Sequence, residues 1–113
     1  MKTIFDEVGA MERVAGDKEL LVELFEIAFE DTPLRIEKIE VAIDSGDATT
    51  LAETAHAMKS AFGNIGAMRC HELSFELEKT GKAGAVQGAP DLLSQLKQEL
   101  ELFERAADAF RNS

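Results

Sequence analysis

The chain has 113 residues, 45% of them hydrophobic, enough for one soluble globular domain with a core of its own. Twenty-two acids against twelve bases leave a formal charge of −10, the wrong sign for binding nucleic acid or an anionic membrane surface. No apolar run is long enough to span a bilayer, and "MKTIFDEVGAMERV" has acids where a secretion signal would be apolar, so we expect a cytoplasmic protein.

Helical periodicity dominates and strand alternation is absent. Residues 3 to 14 predict a short helix that closes one end, with Ile4, Val8 and Met11 inward. Asp17, after Gly16, is a good N-cap for the next helix, whose apolar positions are Leu20, Leu21, Leu24, Phe25 and Ala28. Pro33 has no N–H to donate and disfavours the helical region at Thr32, so the chain either kinks there or stops and restarts. Ile36, Ile39 and Ile43 continue the stripe to Ser45 and Gly46. Asp47 then caps a helix over about 47–64 that ends at "GNIGA", with Gly66 as its left-handed stop.

A further helix over about 67–80 turns Cys70, Leu73 and Leu77 inward and stops at Gly81. Cys70 is the lone cysteine, so no internal disulfide forms, and its place in the stripe makes it a small core residue. "GKAGAVQGAP" is the one flexible loop. The last helix, about 90–110, repeats Leu93, Leu96, Leu100, Phe103, Ala107 and Phe110 at spacings of three and four. Short connections make successive helices antiparallel neighbours. The expected fold is all-α: an antiparallel up-down four-helix bundle with an N-terminal helical extension, one domain over 1–113 with its core bundle at about 17–110.

One residue stands apart from this pattern. In "LAETAHAMKSAFGNIGA", residues 51–67, the stripe of Leu51, Ala55, Met58, Phe62 and Ile65 points one way. At about 100° per residue, His56 points about 140° away from its centre. Glu53, Ser60 and Asn64 share its face, and Lys59 at i+3 reaches the same side of the ring. Ala52, Ser60 and Gly63 are small, which leaves the imidazole protruding and open to a flat partner surface. Taken alone, His56 is a surface histidine and Lys59 a solvated charge. His71 falls off the core stripe and has the same plain reading.

Enzyme templates do not fit. Glu53 and His56 have the Glu-x-x-His spacing of dimetal bundles, but it occurs once and points outward, whereas those sites need two copies and further glutamates facing in. No metal or cofactor is expected. No phosphate-binding loop with a lysine–hydroxyl ending is present, and no histidine stands with a nucleophile and an orienting acid, so no ATP chemistry of its own is expected.

"AHAMKSAFGNIGAMRCHELSFELEKTG", residues 55–81, resembles the signature of histidine-containing phosphotransfer (HPt) domains. His56 and Lys59 match its His-x-x-Lys, Ile65-Gly66-Ala67 its turn, and Leu73 with Leu77-Glu78 the helix that follows. Residues 17 to about 105 can be laid over the family. Ser60 departs from it, standing where the family usually has Gly; its hydroxyl is placed to hydrogen-bond the imidazole.

The resemblance implies a phosphocarrier rather than an enzyme. His56 would take a phosphoryl group from a receiver-domain aspartate and pass it to another, with Lys59 neutralising phosphoryl charge. It implies response-regulator receivers or a hybrid sensor histidine kinase as partners, Mg²⁺ supplied by the receiver, and a partner surface at Ala52, Ser60 and Gly63. The alternative is a module that binds receivers without accepting phosphate. We expect a monomer, since the exposed faces are rich in charge.

Overall fold

The computed structural model describes residues 2–113. It contains α1 (Glu7–Arg13), α2 (Lys18–Ser45), α3 (Ala48–Asn64), α4 (Met68–Lys82) and α5 (Ala89–Arg111), and no strand among the described residues. α2 to α5 form the antiparallel bundle: α3 packs between α2 and α4, and α5 closes the ring against both α4 and α2. α1 is the N-terminal extension, and the whole measures 43 × 26 × 22 Å.

α1, α2 and α3 each start where an aspartate, Asp6, Asp17 or Asp47, satisfies a free N–H group. Asp17 accepts from the Leu20 N–H at 3.1 Å. Asp47 accepts from the Thr50 N–H at 3.0 Å and from its hydroxyl at 2.6 Å. Such caps are each worth about 1 kcal/mol. The Thr50 hydroxyl bond, and then its backbone bond, hold the Asp47 carboxyl below the ordinary carboxylate range. The core lies where the periodicity predicts it, except that Leu20 is exposed on the outer face of α2: Leu21, Phe25, Ile39, Leu51, Met58, Phe62, Leu77, Leu96 and Phe103 are fully buried.

Three further details refine the expectation. Of the two outcomes open at Pro33, a kink or a stop and restart, the second does not occur: α2 runs unbroken for 28 residues. Buried side chains on both sides of the proline, Phe25 and Ala28 before it and Ile39 and Ala42 after, hold one face against the core. Thr32 is buried there too, its hydroxyl donating to the Ala28 carbonyl at 2.6 Å. In the extension, Val8 is 71% exposed rather than inward. Phe5 takes the inward place instead, edge-on to Phe25, Phe103 and Phe110 at 5.6–5.7 Å between centroids. Ala10 is fully buried beside it.

The third detail bears on the site. α4 continues past Gly81 to Lys82, and the left-handed residue is Gly84. Gly81 is buried because α3 crosses it closely. A Cβ there would lie 2.7 Å from the Ala48 carbonyl oxygen and 2.7 Å from the Ala52 nitrogen, both backbone atoms. Gly66 behaves as predicted, with φ of +76°, and its carbonyl accepts the Asp6 N–H at 2.8 Å, tying the extension to the α3–α4 turn.

Gly81→Ala is therefore expected to destabilise the fold by about 1–3 kcal/mol, the usual cost of overpacking against atoms that cannot yield. Urea unfolding of the two proteins measures this; equal midpoints would mean that α3 and α4 can separate freely at this point.

Candidate functional site

Close approach of α3 and α4 builds the site. His56, on the outer face of α3, is 59% exposed at its side chain, as its angle from the stripe predicts. Glu78, on α4, is 1% exposed, yet its carboxylate ends beside that ring. Its Oε2 is 2.8 Å from His56 Nδ1 and 3.0 Å from the Lys82 ammonium. Its Oε1 has no directed hydrogen bond, but the Lys59 ammonium stands 2.7 Å away. One buried acid thus gathers an imidazole and two lysines.

Burial by itself would raise the Glu78 carboxyl, as it does for any charge removed from water. The contacts from Lys59, Lys82 and His56, together with the Lys59 charge, outweigh burial and pull it down to about 2. Glu78 is therefore ionised at neutral pH and can only accept. It follows that Nδ1 of His56 holds the proton and donates it to Glu78. In the neutral ring Nε2 then carries the lone pair, and the exposed edge of the ring is nucleophilic.

A second histidine braces the same pair of helices. His71 Nδ1 lies 2.8 Å from the Lys59 carbonyl, which can only accept, so His71 donates. A Cβ on Gly63 would come within 3.1 Å of His71 Nδ1. The small size of Gly63 thus makes room for His71 on α4. Phe75 is exposed one turn before Lys79, and the Lys59 and Lys79 ammonium groups lie 4.8 and 4.6 Å from its ring centroid. Lys59 is accordingly held at two points, the Glu78 carboxylate and the Phe75 face.

The small residues named from sequence are not all alike in place. Ala52 lines a shallow hollow with Glu53, His56, Glu78 and Lys82. Ser60 is exposed, and its hydroxyl makes no hydrogen bond to the imidazole, whose partner is Glu78. Sequence reasoning missed Glu78 and Lys82 as site residues. Their spacing, i and i+4 on one helix, was visible. Their position opposite His56 was not. Among the described residues no cluster of three metal-ligating side chains is found.

The Hpt domain family profile matches residues 23–106, which spans all of α3 and α4 and most of α2 and α5. The chain belongs to the Hpt domain family. Its function is histidine phosphotransfer in a phosphorelay, and Hpt domains are phosphocarriers rather than kinases. The fold is that of histidine-containing phosphotransfer protein B (HptB) from Pseudomonas aeruginosa PAO1, with a TM-score of 0.88 over 99% of this chain and 97% of that one, at 24% identity. No match was found among curated proteins. No helix of this Hpt domain, among the described residues, is long and apolar enough to cross a membrane.

The direction of the Glu78 shift makes a stability prediction. A carboxyl held lower in the folded chain than in the unfolded one stabilises the fold fully above its ordinary value of 4.5, and that contribution is lost as pH falls towards about 2. Glu78→Gln is expected to cost on the order of 2 kcal/mol at pH 7, because a buried carboxylate with three charged or polar partners is lost. The gap between the two proteins should narrow steadily below pH 4.5. Chemical unfolding at pH 7, 4 and 2.5 checks it; a gap that is constant with pH would place Glu78 outside this ion cluster.

Proposed function

We propose that His56 is the phosphoacceptor, with Nε2 as the attacking atom. The observation behind this is the ionised, buried Glu78 on Nδ1, which leaves the lone pair on the solvent side of the ring. Nε2 attacks the phosphorus of a receiver's aspartyl phosphate in line. The N–P bond forms as the P–O bond to the aspartyl carboxyl breaks, and the aspartate leaves as a carboxylate. The ring keeps its Nδ1 proton and becomes a phospho-imidazolium whose positive charge Glu78 offsets. Transfer onward to a second receiver is the same step in reverse.

Lys59 and Lys82 supply two positive charges beside the ring, both already gathered on the Glu78 carboxylate. Such charge neutralises phosphoryl oxygens without covalent chemistry. Receiver domains are the partners in both directions, with a hybrid sensor histidine kinase as a source of the donor receiver. The Mg²⁺ that transfer needs comes from the receiver, and the chain binds no ATP. It works as a monomer. Ala52 belongs to the hollow a receiver would cover, with Ser60 and the edge of Gly63 further along the same helix.

Purified, phosphorylated receivers or phosphoramidate should add one phosphoryl group, acid-labile and base-stable, detected by intact mass and mapped to His56. His56→Gln should abolish this with the fold intact, since the ring is outside the core. Receiver binding without any modification of the wild-type chain would make the protein an interaction module instead. Lys59→Ala should slow transfer by about a hundredfold without abolishing it, the lower end of what losing one charge-stabilising contact costs. Unchanged rates in a rapid-quench measurement would remove Lys59 from the mechanism.

A further inference from the structure

The face of α2 turned away from the core holds Leu20, Ile27, Leu34 and Val41, each seven residues after the last. Seven residues fall about 20° short of two full turns, so the four form a single column about 31 Å long. They are 40% to 67% exposed, and they are four of the seven large hydrophobic side chains exposed among the described residues. Isolated apolar groups on a surface are ordinary. A column at heptad spacing is the pattern of a helix that receives another helix.

Charge identifies the kind of helix. Glu23, Glu30 and Glu37 each follow a column residue by three and form a second, parallel column, all exposed. Among the described residues none of the three has a basic partner within ion-pair distance. Glu19 with Glu23 and Glu26 with Glu30 are like-charged pairs at i,i+4, an arrangement that weakens a helix standing alone. In a self-associating coiled coil the position three beyond each knob is apolar as well. Here it is an acid every time, Glu23, Glu30, Glu37 and Asp44, so a second copy would set acid against acid.

We propose that this face of α2 docks a basic amphipathic helix of a partner protein. Its apolar residues at heptad spacing would pack on Leu20, Ile27, Leu34 and Val41, and its lysines or arginines would meet Glu23, Glu30 and Glu37. The surface is separate from the phosphotransfer site, where His56 sits on α3 and its contact runs to α4.

The probe is a synthetic four-heptad helical peptide with leucine at one heptad position and lysine on its flanks. A scrambled peptide of the same composition and a glutamate-flanked version serve as controls. Titrated into the isotope-labelled full chain, the lysine peptide should shift the resonances of the outer face of α2 and bind with an affinity that falls as salt rises. Ile27→Ser with Leu34→Ser should weaken binding at least tenfold. Glu30→Lys with Glu37→Lys should weaken the lysine peptide and improve the glutamate one. Phosphoryl acceptance at His56 should stay at its wild-type rate in both variants. Equal binding of the scrambled peptide, or shifts centred elsewhere, would overturn the proposal. So would a dimer of the chain alone that Ile27→Ser with Leu34→Ser dissolves, since the column would then belong to a second copy.

Discussion

Everything at the site depends on one carboxylate kept charged in a place that disfavours charge. Glu78 is buried between α3 and α4, where an unpaired carboxylate would take up a proton. Three groups prevent this, and each is thereby fixed: His56 in one tautomer, Lys59 across the helix gap, Lys82 one turn along α4. A buried ion cluster of this kind is poor evidence for net stability, because the cost of removing charges from water offsets much of their attraction. What it provides is orientation. The imidazole is half in water and would otherwise rotate and exchange its proton between nitrogens.

That carboxylate reaches the ring only because the two helices lie close together. Their approach is set by residues whose role is to be small. Gly81 lets the backbone of α3 come within 2.7 Å of where a Cβ would sit, and Gly63 admits His71 to the Lys59 carbonyl. The α3–α4 turn at Gly66 is in turn fastened to Asp6, so the short extension also helps to hold the register of the pair. The aromatic cluster of Phe5, Phe25, Phe103 and Phe110 anchors that extension at the other side of the core.

Much of this was legible in the chain before folding. Helix number, order and inward faces follow from apolar spacing, and the outward direction of His56 follows from the same count. The failures have physical causes. α1 has only seven residues, too few for periodicity to separate Val8 from Ala10 or to show that Phe5, outside the helix, is the anchor. At Pro33 a choice left open locally is settled by burial on both sides, which no local rule can weigh. In the sequence Glu78 is legible only as part of the signature helix, with no role at the site. Its burial is a property of what crosses α4, not of α4 itself, and so the residue that organises the site was invisible until the neighbouring helix was in place.

The exposed ring has a consequence for kinetics. There is one imidazole, with one free edge, opening onto one shallow hollow. Under the proposed chemistry a donor and an acceptor receiver need the same few square ångströms and cannot be seated there together. Transfer through this carrier is then of the ping-pong kind: the phosphorylated chain must leave its first partner before it meets its second. Between the two the phosphoryl group stays on the ring, and the lifetime of its N–P bond in water bounds for how long a signal can be held in transit.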